Sequence, residues 1–362
     1  MNIGIDISQV VYEGTGVGRF TYGLIEAILE YDKNNTWTFL FSSFRGKIDD
    51  HLLKKIKKSH HRYIRLPFSP RMLSFLWNTL HILSVERFTG PLDIFICSDW
   101  TEPPATCKKV TIVHDFAYLR YPETVHPMIL ETQKKRMRWV KKESSHIITP
   151  SRATQQDVAT FFSIPLSKIT PLYSGVEIET PTANVLAKVT EKCNISKPFV
   201  LSVGKLEPRK NISRLIDAFS NIHAEGWDLL IVGPKGWDKK SDKKINDSIK
   251  FTGYVAENEL HALYELCQFF IYPSLWEGFG YPVIEAMQHN KAVAASNNSS
   301  LVELVKEHGV LFDPLSTEDI QRALVTLMES KEVRASYAEK GFAFAQEFTW
   351  KRYYEGLMKV FI

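Results

Sequence analysis

The sequence predicts an α/β protein of two domains, each a parallel sheet with helices on both faces. Three observations lead there. At 362 residues the chain is too long for one ordinary core. Short apolar runs alternate with amphipathic helical patterns along it, the mark of strand–helix–strand units. The alternation also restarts at Phe199, after a stretch that is poor in pattern, carries Pro181 and runs up to Pro198. The expected division is a first domain over 1–180, a linker over 181–197, a second domain over 198–345 and a C-terminal helix over 346–362.

Composition narrows the class. With 44% hydrophobic and 24% charged residues, the chain reads as a soluble globular protein. No apolar stretch reaches the length of a membrane span. The N-terminal residues 1–7 lack a basic segment and a cleavage site, so they are expected to form the first strand, not a signal peptide. Cys97, Cys107, Cys193 and Cys267 are scattered, which argues against a zinc site or a disulfide framework and fits a reducing cytoplasm.

The net charge of +4 is mild but uneven. Residues 45–71, from Arg45 to Arg71, hold nine Lys/Arg, two Asp and three His, and a second basic cluster spans 134–142, from Lys134 to Lys142. Solvated helix faces are the simpler account. The sharper one is a surface that approaches anionic lipid headgroups or a phosphorylated acceptor. The balance is too weakly basic to point to nucleic acid.

In chain order, residues 3–7 form a strand, followed by the loop Gly14-Thr15-Gly16-Val17-Gly18 and a helix to Tyr31. The glycine spacing differs from a dinucleotide fingerprint, and no acid ends the second strand, 37–41, so no nicotinamide site is expected. The loop is expected instead to let backbone close on a substrate. Strands follow at 63–66, 93–97 and 110–113, with one helix over 72–88. His114 and Asp115 come at the carboxyl end of the last of these, where open α/β sheets bind ligands. An isolated histidine is nonetheless more often structural. A strand at 146–149 leads to Ser151, a cap for the next helix, and residues 169–173 close the first sheet.

The second half opens with a strand at 199–204, ending in Gly204. Arg209 and Lys210 then precede a helix over 212–224 that Asn211 is expected to cap. Cations there oppose the helix dipole, an arrangement that suits a phosphate between them; two surface cations are the alternative. Strands follow at 229–233 and, ending in a turn, over 249–255, separated by a charged loop, 236–244, expected to be mobile. After a helix opened by Glu257 comes the strand 269–271 and its sequel, Tyr272-Pro273-Ser274-Leu275-Trp276-Glu277-Gly278-Phe279-Gly280-Tyr281-Pro282-Val283-Ile284-Glu285. This reads as strand, glycine loop and helix, with Pro282 near the helix start. Glu277 and Glu285 are expected to open into the crevice and take hydroxyls, since carboxylates only accept hydrogen bonds. An anion-binding helix start between two carboxylates suits a nucleotide sugar; a surface loop with two solvated glutamates is the bland alternative. A strand at 292–295 follows, then a helix capped by Ser300. Helices over 317–328 and 333–346 come next, and Thr349 caps a last amphipathic helix.

Taken in order, these motifs resemble the retaining glycosyltransferases of family 4, which have the GT-B architecture. The resemblance runs through Gly16-Val17-Gly18-Arg19, Ile112-Val113-His114-Asp115, Ser174-Gly175-Val176, Glu207-Pro208-Arg209-Lys210-Asn211, Phe251-Thr252-Gly253-Tyr254-Val255, the Glu277 to Glu285 motif and Leu311-Phe312-Asp313-Pro314. It looks closest to bacterial enzymes that add mannose or similar sugars to O-antigen and other surface polysaccharides. It implies two Rossmann-like domains facing across a cleft, with the last helix crossing back to the first domain. By the same resemblance, Arg209 and Lys210 bind the diphosphate, Glu285 the ribose, and Glu277 with Gly278, Phe279 and Gly280 the donor sugar. Gly204 and Val255 complete the donor site, Val255 beside the base. His114 reaches the sugar from the first domain, and Gly16 and Gly18 line the transfer point. The implied chemistry needs neither metal nor cofactor: GDP-mannose is the preferred donor and a saccharide or lipid-linked molecule the acceptor. The implied location is cytoplasmic, at the inner face of the plasma membrane. A non-catalytic donor-binding subunit, or an epimerase or hydrolase on the same architecture, are the competing readings. Two departures stand out. His289-Asn290-Lys291 replaces the glycine and proline usual after the central helix, which calls for a left-handed Asn290. Asp6-Ile7-Ser8 lacks an arginine often found there.

Overall fold

In a computed structural model, the described residues are 1–362 apart from Glu13, Arg45, His223 and residues 239–246. Glu13 of the first glycine loop, Arg45 of the first basic cluster and residues 239–244 of the expected mobile loop therefore lie outside the described residues.

The chain forms two compact units, Met1–Gly175 with Thr349–Ile362, and Val176–Phe348. The first is built on seven strands: β1 (Asn2–Asp6), β2 (Thr36–Ser42), β3 (Arg62–Leu66), β4 (Ile94–Cys97), β5 (Lys108–Ile112), β6 (His146–Thr149) and β7 (Ile169–Pro171). The second has six: β8 (Phe199–Val203), β9 (Asp228–Val232), β10 (Ile249–Gly253), β11 (Phe269–Tyr272), β12 (Ala292–Ser296) and β13 (Val310–Phe312). The sheet orders are β3-β2-β1-β4-β5-β6-β7 and β10-β9-β8-β11-β12-β13. Every pairing is parallel, with Ile3 opposite Trp37 and Phe269 opposite Ala292. The central strands are buried along their whole length, as in β4 and β11, which is why they read as unbroken apolar runs. In both sheets the order reverses between two neighbours, β1 and β4 in the first and β8 and β11 in the second. Such switch points open a crevice at the strands' carboxyl ends.

The expected linker is not a linker. Residues 181–197 contain helix Ala183–Lys192, capped by Thr182 and belonging to the second unit. Val189 is buried, and Lys192 pairs with Glu259 of helix Glu257–Leu266 at 2.7 Å. The single helix expected over 72–88 is also broken: Pro70–Leu73 runs on as a π-helix over Ser74–Leu80, and a separate short helix, Glu86–Thr89, follows. His81 is left-handed, with φ of 53°. Its ring stacks on Trp139 at 3.5 Å, and its Nε2 meets Glu143 at 2.9 Å. Trp77 donates to the Leu83 carbonyl across the break. Asn290 is left-handed as expected, with φ of 53°.

The last helix, Trp350–Val360, is capped by Thr349, whose hydroxyl accepts the Arg352 amide at 3.3 Å. It packs on helix Gly16–Tyr31 within the first unit. Phe20 packs against both Trp350 and Tyr353, with ring centroids at 5.7 and 5.3 Å. Gly23 makes this contact close enough that a Cβ there would overlap the Trp350 ring. Alanine would gain about 0.5–1 kcal/mol of helix propensity and lose about 1–3 kcal/mol to overpacking. Gly23→Ala is therefore expected to lower the melting temperature, and a variant as stable as wild type in thermal unfolding would contradict the packing.

Candidate active site

Loops from the carboxyl ends of β8, β11 and β12 meet at the second sheet's switch point. After β8, the Gly204 amide donates to the Val232 carbonyl at 2.8 Å. A 3-10 turn, Pro208–Lys210, then places Arg209 and Lys210 ahead of helix Ile212–Asn221. Asn211 between them holds the N-cap position in a left-handed conformation, with φ of 57°, but its side chain makes no cap hydrogen bond. Its amide donates instead to the carbonyls of Pro273 (3.1 Å) and Pro314 (2.8 Å), tying three loops together.

Arg209, Lys210 and Glu277 form one partly buried cluster. Arg209 bridges Glu277 Oε2 at 3.0 Å and Glu207 at 2.9 Å, and donates to the Trp276 carbonyl at 2.5 Å. Lys210 Nζ reaches Glu277 Oε1 at 2.6 Å and the Tyr272 hydroxyl at 2.7 Å. Tyr272 and Ser274 donate to the same carboxylate oxygen at 3.0 and 2.6 Å. Burial disfavours the Glu277 charge, but Arg209 and Lys210 outweigh it and hold its pKa down to about 2. Burial lowers the Lys210 pKa against the pull of Glu277. These are neither surface cations nor a solvated glutamate.

The glycine loop is fixed by the start of helix Ser299–Val305. Ser299 Oγ accepts the Glu277 amide at 3.1 Å. Ser300, expected as a cap, instead donates to the carbonyls of Glu277 (3.1 Å) and Phe279. Asn298 holds the capping position. Gly280 has φ of 119° and begins helix Tyr281–Gln288. Phe279 is buried and meets Phe348 at 5.8 Å. Glu285 departs from expectation: it does not open into a crevice but is 0% exposed, with its Oε2 accepting the Tyr264 hydroxyl at 2.9 Å. Val255 is buried just past β10, after a left-handed Gly253 with φ of 71°.

His114, Gly16 and Gly18 belong to the first unit. Thr15 caps helix Gly16–Tyr31 by accepting the Gly18 amide at 3.1 Å, and any Cβ at Gly18 would overlap the Tyr12 carbonyl. Phe20 of that helix meets the His114 ring edge-on at 4.7 Å. Burial holds the His114 pKa down to about 4, so the ring is neutral at pH 7. A small cavity at this sheet's switch point is lined by Asp6, Ser98, Asp99, His114 and Phe20. Asp6 accepts from the hydroxyls of Ser8 (2.5 Å), Ser98 (2.7 Å) and Thr101 (3.2 Å). Burial pushes the Asp99 carboxyl up to about 6. Sequence reasoning missed Tyr272, Ser274, Ser299, Tyr264, Ser98 and Asp99 as site residues. Their one sequence signal is polarity at the end of an apolar strand, and Tyr264 lacks even that.

The depressed Glu277 pKa sets a pH dependence. Between 4.5 and about 2 the unfolded chain binds the proton more readily, so this group stabilises fully above pH 4.5 and progressively less as pH falls toward 2. The shift corresponds to roughly 3 kcal/mol. Denaturant unfolding of wild type and Glu277→Gln is expected to show a gap that narrows across that window; a gap independent of pH would count against the ion cluster.

Comparison with known proteins agrees with this architecture. Residues 14–180 match Glycosyltransferase Family 4, and residues 188–344 match Glycosyl transferases group 1. The chain is 25% identical over 382 residues to the O-antigen chain mannosyltransferase B of Escherichia coli, with 97% of each chain covered. It is 29% identical over 219 residues to the serotype-specific mannosyltransferase WbdA of Escherichia coli, covering 56% of this chain and 27% of that protein. The solved sucrose-phosphate synthase of Thermosynechococcus elongatus superposes with a TM-score of 0.75 at 17% identity, covering 100% of this chain and 98% of that one. With two parallel-sheet units and matches through both halves, the chain belongs to the family 4 glycosyltransferases and has the GT-B fold.

Proposed function

We propose that the protein transfers a hexose, with mannose preferred and GDP-mannose as donor, to a saccharide or lipid-linked acceptor in O-antigen or other cell-surface polysaccharide synthesis. The observation that carries this reading is the Arg209–Lys210–Glu277 cluster beside helix starts at the switch point of the second sheet. Mannose draws on the names of the two Escherichia coli relatives. In the proposed reaction the bond between the anomeric carbon and the diphosphate breaks, and negative charge grows on the leaving oxygen. Arg209, Lys210 and the helix N-termini stabilise that charge without a metal. Glu277 and the glycine-loop backbone hold the sugar hydroxyls, and Val255 lies beside the base. His114, neutral at pH 7, can donate one hydrogen bond and accept another at the first sheet's switch point. The acceptor hydroxyl attacks the face from which the diphosphate departs, so configuration is retained, and the departing phosphate takes the proton.

The acceptor side carries a second proposal, contact with an anionic membrane from the cytoplasmic side. Helix Asp50–Lys58 presents Lys54, Lys57 and Lys58, and helix Pro127–Glu143 presents Lys135, Arg138 and Lys141, all exposed. Met72, Phe75, Leu80 and Ile82 are exposed apolar side chains on the broken helical segment. Cations flanking exposed apolar groups suit a headgroup interface. No helix among the described residues is long and apolar enough to cross a membrane.

Thermal unfolding with GDP, UDP, ADP and their sugar conjugates tests the donor. Selective stabilisation by GDP and GDP-mannose is expected; a preference for UDP compounds would discard mannose, and no response would favour a non-catalytic subunit. Arg209→Ala is expected to lower kcat about 10²–10³-fold and donor affinity much less, as for charge stabilised in the transition state. An effect confined to KM would contradict that role. Binding to vesicles of anionic lipid is expected to weaken steeply with salt, and absence of binding at low salt would remove the membrane contact.

A further inference from the structure

The loops that leave β8, β9 and β10 are tied together by their backbones. The Gly204 amide donates to the Val232 carbonyl at 2.8 Å, Leu206 to Pro234 at 3.1 Å, Asp238 to Leu206 at 3.1 Å and Gly233 to Gly253 at 3.0 Å. A Cβ at Gly236 would overlap the Leu206 carbonyl, so the β9 loop lies directly against the β8 loop. Trp237 stands on this shelf. It is 46% exposed, an unusual amount of water contact for so large an apolar side chain. The ring is nonetheless held in place, because the Lys205 ammonium lies over it, 4.9 Å from the centroid. Lys205 belongs to the same loop as Lys210, whose stem lies 3.4 Å from where a Gly204 Cβ would stand. One loop thus carries both the cation over Trp237 and the cations of the Glu277 cluster.

Strand order gives the exposed indole a use. The sheet runs β10-β9-β8-β11-β12-β13. Arg209 and Lys210 follow β8, whereas Glu277 and Ser299 follow β11 and β12. Trp237 and Val255 follow β9 and β10, on the opposite side of β8. A nucleotide sugar with its diphosphate at Arg209 and Lys210 and its sugar at Glu277 must run its nucleoside the other way, over β9 and β10. An exposed aromatic ring there offers a flat surface to the π-face that every base has. Tyr254, in the turn after β10, is 69% exposed but makes no ring contact among the described residues. Trp237 is already clamped, so it gives up less freedom when a base stacks on it.

We propose that Trp237 is the stacking surface for the nucleobase of the donor, with the Lys205 ammonium steadying the indole. The inference rests on the reading of the Arg209–Lys210–Glu277 cluster as the site of the diphosphate and the sugar.

The test is calorimetric titration of the full-length protein with GDP, UDP, ADP and inorganic pyrophosphate, in wild type, Trp237→Ala, Trp237→Phe and Tyr254→Ala. In Trp237→Ala the nucleotide that wild type binds most tightly is expected to weaken about tenfold, the scale of one base–aromatic stack. Pyrophosphate, which has no base, is expected to bind as before, and Trp237→Phe is expected to recover most of the loss. Equal weakening of nucleotide and pyrophosphate would show the indole acting on the diphosphate cluster through Lys205, and overturns the stacking role. Unchanged nucleotide affinity in Trp237→Ala overturns it too, and leaves the diphosphate reading standing. A larger loss in Tyr254→Ala than in Trp237→Ala assigns the base to the other ring and overturns the proposal. Failure of wild type to bind any of the three nucleotides removes the diphosphate reading and the inference with it. If Trp237→Ala does not fold, Trp237→Leu keeps the bulk without the aromatic face, and an unchanged nucleotide affinity there overturns the proposal.

Discussion

The second unit's site depends on one buried carboxylate held between two cations. Glu277 is 8% exposed and touches Arg209, Lys210, Tyr272 and Ser274. Removing one partner from such a cluster leaves a charge uncompensated in a poor dielectric, which is far more costly than the pair is stabilising. The loops that follow β8 and β11 are therefore locked to each other before any ligand arrives. Preorganisation of this kind is what electrostatic catalysis requires, because no reorientation is then needed as charge develops.

The first unit solves the same topological problem with different chemistry. At its switch point the buried carboxylate is Asp6, held by hydroxyls instead of cations. Behind it, Lys109 binds Glu143 at 2.8 Å and Glu102 at 3.2 Å and fixes the loop between β4 and β5. One crevice is thus framed by a compensated ion cluster, suited to an anion, and the other by carboxyl and hydroxyl groups, suited to polyols.

Much of this was legible in the sequence, for a physical reason. Strands buried on both faces appear as unbroken apolar runs, so β4, β8, β11 and β12 were readable, and a glycine loop between a strand and a helix marked the central motif. Two kinds of feature escaped. Lys210 and Glu277 are 67 residues apart, and they meet only because β8 and β11 are neighbours, a fact of strand order that no local pattern encodes. Asn211 and Ser300 have the right chemistry to cap helices, yet distant carbonyls claim their side chains. Helix 72–88 failed in the same way: its pattern is continuous, but the chain turns at a left-handed His81 whose ring stacks on the distant Trp139. Residues 181–197 looked like a linker because prolines mark both ends; Pro181 instead precedes the Thr182 cap of a helix.

The membership of residues 349–362 in the first unit has a consequence for biosynthesis. A ribosome delivers residues 1–175 first, but the aromatic lid of Trp350 and Tyr353 over Phe20 emerges only after the entire second unit. The nascent first unit must wait with the Phe20 face of its helix uncovered while the second unit, whose core is contiguous in sequence, can fold without interruption. The order of emergence and the order of completion are thus reversed, and the waiting apolar face is where a chaperone would have most to shield.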